Sequence, residues 1–372
     1  MLHPKSVTVE GSRVIVEWDD GGQSRFHSIW LRDNCPCPEC HYAGTRERLL
    51  ETALLRDEPR PSSARVDDGS IEISWTHDGH MSRYTTAFLR GERRRQRRRT
   101  LWRRDMGERL PEAQYADVAA SSSALYDWLM AVDEYGFALL RGVPCESGAV
   151  TRVAELFGYV RETNFGRLFD VKAVVNPNNL AYTGLALGPH TDNAYRDPAP
   201  TLQLLHCLVS SAIGGDNTLV DAFAVAEALR EGAPAKFDLL TRQPVLFTFG
   251  DAEAQFEHEA PVVALDVRGE VEAVRYSTRA AAPFDLPDDL VEPYYDAYRT
   301  FGRMLVSPEF QIVFKLLPGD LFIVDNRRVL HGRTGYTGDG SRHIQGCYAD
   351  IDGLRSKLAT LRREANQRSA SS

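Results

Sequence analysis

No stretch of this 372-residue chain approaches the roughly 20 consecutive apolar residues that a membrane-spanning helix requires. The opening, "MLHPKSVTVEGSRV", lacks the charged-then-apolar pattern of a secretory signal. A cytoplasmic protein with no membrane partner is therefore expected. Cysteine is scarce: six residues, too few and too unevenly spread for a disulfide framework in a reducing compartment. No internal repeat stands out. With 43% hydrophobic and 26% charged residues, the chain is excluded from the disordered class and can bury a sizeable core.

Charge is present but unevenly placed. Positions 90–104, "RGERRRQRRRTLWRR", carry nine arginines against one glutamate, whereas the whole chain has a formal net charge of −8. A basic run of this kind can contact phosphate backbones. Here it is short, has one aromatic, Trp102, and no nucleic-acid fold surrounds it. A solvated linker or subunit contact is the expectation.

The run divides two textures. Before it, "SVTVEGSRVIVEW" and "SIEISW" alternate apolar and polar residues around turn signals, which predicts a small β unit over residues 1–90. Residues 91–112 read as an Arg-rich linker. From 113 to 372, helical patterns such as "AVTRVAELFGYV" and "AFAVAEALREGAPAKFDLLTR" surround many short apolar strands, among them "LQLLHCLV" and "DLFIVDN". Strands not regularly interleaved with helices disfavour a doubly wound sheet. They predict a mainly β fold, a sandwich or open barrel with helical decoration.

Half of the cysteines crowd into "WLRDNCPCPECHY". Cys35, Cys37 and Cys40 can present three soft thiolates within one turn, which suits tetrahedral zinc, and a small β unit gains most from such a staple. The fourth ligand is open between His80 and His77 of "WTHDGHMSRY", since His41 is cramped beside Cys40. The scattered Cys145, Cys207 and Cys347 read as small buried apolar residues.

"GPHTDNAYRDP" places His190 and Asp192 one residue apart. Alternate residues of a strand share a face, so the pair can supply two legs of a two-histidine, one-carboxylate iron site. A second histidine must come from a later strand, and His331 in "DLFIVDNRRVLHGRTGY" follows an apolar strand directly. His206 and His343 lie inside apolar strand patterns and read as core residues. Arg342, eleven residues beyond His331, can grip a carboxylate in bidentate fashion.

Together "WLRDNCPCPEC", "NNLAYTGLALGPHTD", "LQLLHCLVSSAIGGDN", "VDNRRVLHGR" and "SRHIQGCYAD" resemble the gamma-butyrobetaine and trimethyllysine dioxygenase family, over about residues 7 to 362. The resemblance implies a double-stranded β-helix (jelly-roll) catalytic core and a small N-terminal zinc-binding β domain. It implies Fe(II), the cosubstrates 2-oxoglutarate and O2, structural Zn(II) and a homodimer. It assigns iron to His190, Asp192 and His331, and zinc to Cys35, Cys37, Cys40 and His80. Arg342 is assigned to the distal carboxylate of 2-oxoglutarate, beside Leu205. Oxidative decarboxylation of 2-oxoglutarate then drives hydroxylation of a substrate C–H bond.

Family members hold a trimethylammonium group in an aromatic cage. The matching positions are Phe165, Phe169, Tyr182 and Tyr348, all aromatic. At the anionic end Asn179 is retained, but Asn193 stands where relatives carry Tyr or Leu. "RYSTRAAAPFD" offers Arg275, Ser277, Thr278 and Arg279 in place of an asparagine. More polarity and an added arginine suit a phosphonate. The expected substrate is 2-(trimethylammonio)ethylphosphonate, hydroxylated next to phosphorus, with gamma-butyrobetaine (giving L-carnitine) as the alternative. A non-catalytic zinc and arginine module binding nucleic acid is the remote alternative, and nucleic acid is not an expected partner.

Overall fold

The computed structural model describes residues 2–45, 47–55, 58–91, 99–172, 183–337 and 341–370. Asn179, Tyr182 and the centre of the arginine run, 92–98, lie outside them. The chain divides into two compact units, Met1–Arg97 and Arg98–Ser372. No helix among the described residues is long and apolar enough to cross a membrane.

The first unit contains an internal duplication, which corrects the expectation of no repeat. Strands Pro4–Glu10, Arg13–Trp18 and Gln23–His27 form one antiparallel sheet followed by helix Ser28–Asp33. Strands Pro61–Asp67, Ser70–Trp75 and Met81–Thr85 form a second, followed by helix Thr86–Arg90. In the first half the indole of Trp18 donates to Ser24 Oγ at 2.9 Å, and in the second Trp75 donates to Ser82 Oγ at 2.8 Å. Each half's helix sends an arginine to the other half's turn: Arg32 Nη2 to Asp78 Oδ2 at 2.7 Å, and Arg90 Nη2 to Asp20 Oδ2 at 3.2 Å. The Trp-to-Ser spacing is six residues in one half and seven in the other, so the two patterns fall out of step in the sequence. Val14, Val16, Trp18, Leu31, Ile71, Ile73, Trp75 and Tyr84 form the shared core.

The second unit is built on two sheets. The larger has seven strands, in the order Phe169–Lys172, Arg342–Ala349, Leu202–Ser210, Leu321–Asp325, Phe137–Arg141 and Glu112–Gln114, with Val160–Arg161 attached to Arg342–Ala349. Its pairs are antiparallel except Glu112–Gln114 with Phe137–Arg141, which confirms that the sheet is not doubly wound. The smaller has four antiparallel strands in the order Leu187–His190, Val329–Arg333, Asn217–Asp221 and Gln311–Phe314.

Strand periodicity decides what each face does. Leu202, Leu204, Cys347 and Ala349 point to a core shared with helices Ser122–Tyr135, Ala149–Glu155 and Ile351–Ala370. Leu205, Phe322, Val324 and Ile344 face the other way and pack with Leu219, Ile312 and Val329 of the smaller sheet. Cys207 and Cys347 are buried as expected, whereas Cys145 is exposed. The expected long helix after Asp221 is broken into Ala222–Gly232 and Pro234–Arg242, because Pro234 has no N–H and starts a new helix at its first turn.

Residues 99–112, read in the sequence as part of a linker, are built into the second unit. Arg99 donates to Val271 O at 3.0 Å, and Trp102 N to Asp221 Oδ2 at 3.1 Å. Trp102 is buried against Phe137, with its indole N–H on Tyr135 O at 2.7 Å. The run's aromatic is thus a core residue and cannot stack on a nucleic-acid base.

Candidate active site

Two antiparallel strands bring the histidines together: His190, ending Leu187–His190, lies directly across from His331 in Val329–Arg333. Their ring centroids are 4.4 Å apart. Asp192 follows two residues later and turns one oxygen toward both. Oδ1 lies 3.2 Å from His190 Nε2 and 3.9 Å from His331 Nε2. The three ligand atoms lie within 4.8 Å of one another.

This donor set fits a cation. His190 Nδ1 lies 2.9 Å from the Gly188 carbonyl, so it carries the proton and donates it. Nε2 then presents a lone pair to a carboxylate oxygen, an arrangement that is favourable when a cation sits between them. Burial lowers His331 to about 3, leaving it a neutral imidazole, the form that ligates metals. Burial works against the Asp192 charge, the hydrogen bond from Tyr348 favours it, and the carboxyl lies well below the usual range.

Asp192 is fixed at both ends. Its N–H donates to Asn326 Oδ1 at 2.9 Å, and Asn326 Nδ2 returns to Asp192 O at 2.9 Å and Pro200 O at 2.9 Å. Its Oδ2 accepts from Tyr348 OH at 2.9 Å and from Gln203 Nε2. Gln203 and Asn326 are absent from the sequence reading. The available signal was a buried-strand pattern interrupted by a polar residue, in "TLQLLHC" and in "FIVDNRR".

A cavity of about 370 Å³ opens over this cluster. Arg342, Ile344 and Tyr348 line it from alternate positions of one strand, and Leu205 from the next. Between them, Gly346 leaves room for a ring, since a Cβ there would come within 2.4 Å of Phe169 Cζ. Arg342 is buried; its Nε donates to Gly215 O at 3.2 Å and its Nη2 to Asn217 Oδ1 at 3.2 Å. Burial lowers its pKa, and no ion pair to it occurs among the described residues. A second buried arginine, Arg333, also lines the cavity, but it donates to the carbonyls of Thr183 and Leu185.

Of the expected cage, Phe165, Phe169 and Tyr348 line the same cavity. Tyr195 and Phe249, stacked with centroids 4.8 Å apart, also line it, and Phe165 meets Phe249 at 5.8 Å. Neither Tyr195 nor Phe249 was identified in the sequence. Tyr182 and Asn179 lie outside the described residues. At the polar end, Asn193 adopts a positive φ of 52° and is buried, and its Oδ1 accepts from Tyr195 OH at 2.8 Å. Asn193 Nδ2 is buried without a partner. Ser277 and Arg279 line the cavity, whereas Arg275 is committed to the carbonyls of Ala194 and Arg196 at 2.6 and 3.0 Å. His206 is fully buried in the core, as expected, whereas His343, also expected there, is partly exposed and pairs with Asp170 Oδ1 at 2.6 Å at the sheet edge.

The first unit carries a second donor set. His80 Nε2 lies 3.3, 3.4 and 3.6 Å from the Sγ atoms of Cys35, Cys37 and Cys40. His77 instead pairs with Asp78 at 3.2 Å, so it is His80 that lies beside the three thiols. Burial and the neighbouring Cys35 push the Cys40 thiol up to about 12, so Cys40 stays a thiol unless a cation holds its thiolate. Arg32 Nη1 lies 3.5 Å from Cys40 Sγ, and Glu39 Oε2 3.3 Å from His80 Nδ1. Three thiolates and an imidazole suit tetrahedral zinc.

Residues 96–348 match the family model described as taurine catabolism dioxygenase TauD, TfdA family, and residues 6–90 match the gamma-butyrobetaine hydroxylase-like, N-terminal model. The chain is 41% identical over 362 residues to gamma-butyrobetaine dioxygenase of Pseudomonas sp. (strain AK-1), covering 95% of this chain and 94% of that protein. It is 32% identical over 378 residues to trimethyllysine dioxygenase of Meyerozyma guilliermondii, covering 95% and 94%. Among solved structures, AAD-2 in complex with Mn(II) and N-oxalylglycine superimposes with a TM-score of 0.51 at 17% identity, over 67% of this chain and 96% of that one. That likeness is one of fold.

Proposed function

We infer that this chain, which belongs to the TauD, TfdA family of dioxygenases and carries the gamma-butyrobetaine hydroxylase-like N-terminal domain, hydroxylates a small trimethylammonium carboxylate of the gamma-butyrobetaine type. It is an Fe(II)- and 2-oxoglutarate-dependent dioxygenase. The observation that carries the substrate reading is the cavity itself, where ring faces and a buried arginine share one chamber with the His190, Asp192 and His331 cluster.

In this reading, iron is held by His190, Asp192 and His331, and zinc by Cys35, Cys37, Cys40 and His80. When bound, iron supplies the O2 chemistry that couples decarboxylation of 2-oxoglutarate to oxygen insertion into a C–H bond. The chain's own residues bind and aim. Arg342 takes the distal carboxylate of 2-oxoglutarate against Leu205 and Ile344. Phe165, Phe169, Phe249 and Tyr195 present ring faces to the trimethylammonium group. The unpartnered Asn193 Nδ2 supplies one donor to the substrate's anionic end. A double-stranded β-helix core and a homodimer belong to the same reading.

The phosphonate expectation is not supported. It rested on Asn193 and extra arginines as anion donors, but backbone carbonyls occupy Arg275. Arg279 alone remains, and it is exposed at the cavity wall. The named relatives are gamma-butyrobetaine and trimethyllysine dioxygenases.

The test is turnover. Iron-loaded protein is given gamma-butyrobetaine, trimethyllysine or 2-(trimethylammonio)ethylphosphonate with 2-oxoglutarate and O2, and succinate and hydroxylated product are followed. Gamma-butyrobetaine is expected to give the highest kcat/KM. Efficient turnover of the phosphonate alone would overturn the carboxylate reading.

A further inference from the structure

The Asp192 carboxylate has two oxygens with different fates. Oδ1 faces the histidine nitrogens, whereas Oδ2 receives two hydrogen bonds, from Tyr348 OH at 2.9 Å and from Gln203 Nε2. The two donors are register partners on adjacent strands, Gln203 of Leu202–Ser210 opposite Tyr348 of Arg342–Ala349. They therefore reach Oδ2 from one rigid platform. Chemistry fixes their direction: the Gln203 amide must present its NH2 group, because its oxygen would repel a carboxylate. The Tyr348 hydroxyl must donate as well, because the carboxylate it faces can only accept. Both side chains are almost wholly inaccessible.

We propose that Gln203 and Tyr348 are positioning residues that confine Asp192 to one-oxygen metal coordination. A metal held by two histidines and one carboxylate oxygen keeps three positions open. Two are needed for a bidentate 2-oxoglutarate and one for O2. If Oδ2 swung onto the metal, it would fill a position the cosubstrate needs. The paired donors prevent that swing by satisfying both of the lone-pair directions Oδ2 presents. Tyr348 thus has a role besides lining the cavity with its ring: the hydroxyl serves the metal ligand while the face remains available to substrate. The proposal rests on the iron site of the proposed function and on none of its substrate choice.

The test uses metal and cosubstrate alone. Full-length protein and its Tyr348→Phe and Gln203→Leu variants are titrated anaerobically with Fe(II), then with 2-oxoglutarate. The visible charge-transfer band of the chelate and the d–d spectrum of the Co(II) form are recorded. Each substitution is expected to weaken Fe(II) binding by about ten- to a hundredfold, to reduce or shift the chelate band, and to raise the Co(II) coordination number. Zinc content should stay parental. Tyr348→Phe keeps the ring, so KM for the trimethylammonium substrate should change little while kcat falls. Variants with parental Fe(II) affinity and an unaltered band, or with a change confined to KM, would overturn the proposal. Failure of the unaltered chain to bind Fe(II) at all would remove the iron site with it, a distinct result.

Discussion

Arg328 and Asp221 form an ion pair closed to solvent, with Nε on Oδ1 at 3.1 Å and Nη2 on Oδ2 at 2.7 Å, their side chains 3% and 0% exposed. Arg328 also donates to Glu134 O at 2.8 Å and Thr100 O at 2.6 Å. Asp221 accepts from Trp102 N and caps helix Ala222–Gly232 through Phe223 N, both at 3.1 Å. Asp221 is the register partner of Val329, two residues before His331. The pair thereby ties residues 99–102 to the strand that carries His331.

Breaking it should be costly. Arg328→Met leaves Asp221 buried without its partner, and loss of one member of such a pair costs about 3–5 kcal/mol. Urea unfolding of the variant should show a lower midpoint with an unchanged slope. A midpoint shift worth less than about 1 kcal/mol would mean that solvent reaches Asp221.

Much of this site was legible because His190 and His331 fall where strand geometry fixes them, although Asp192 lies in the turn after the strand that ends at His190 and not on the strand as expected. His190 and Asp192 are separated by one residue, and His331 and Arg342 flank recognisable apolar strands. The unseen residues support those ligands. Gln203, Tyr195, Phe249 and Asn326 act through contacts between segments far apart in the chain, such as Asn326 with Asp192 across 134 positions. A single sequence offers no signal for such pairings. The duplication in the first unit was hidden for another reason. A one-residue difference in turn length shifts the register, and only the indole-to-serine bonds and crossed Arg–Asp pairs make the equivalence visible.

The cysteine site should be a staple for the first unit. Cys40→Ser should abolish binding of one zinc per chain and lower the unfolding temperature. Arg32→Leu removes the guanidinium 3.5 Å from Cys40 Sγ and should weaken zinc by about ten- to a hundredfold. Competition with a chromogenic chelator measures both. Equal zinc affinity in parent and Arg32→Leu would show that the guanidinium serves only Asp78.

Arg342→Met should act on the cosubstrate. Losing charge-assisted hydrogen bonds worth about 1.5–3 kcal/mol each predicts roughly a hundredfold rise in the 2-oxoglutarate concentration needed for half-maximal succinate formation. KM for the trimethylammonium substrate should stay within about twofold, since Arg342 opens its strand six residues before Tyr348 and is held by Gly215 and Asn217. Arg333→Met should instead lower stability, because Arg333 donates to the Thr183 and Leu185 carbonyls. An unchanged 2-oxoglutarate dependence in Arg342→Met would transfer the role to another residue.

The aromatic wall can be tested for charge recognition apart from shape. Gamma-butyrobetaine and 5,5-dimethylhexanoate differ only by carbon in place of the quaternary nitrogen, so both fill the same volume. A ring face attracts the cation through its quadrupole, worth about 0.5–2 kcal/mol per ring, and gives the neutral group no such gain. Phe165→Leu and Phe249→Leu preserve an apolar surface but remove the quadrupole. Each should weaken gamma-butyrobetaine binding by roughly twofold to thirtyfold and leave the neutral analogue nearly unaffected. Competition between the two compounds during turnover measures the difference directly. If both lose affinity equally, Phe165 and Phe249 contribute packing alone, and cation recognition falls to Phe169, Tyr195 and Tyr348. Of these, Tyr348 touches the cluster through the hydroxyl it donates to Asp192.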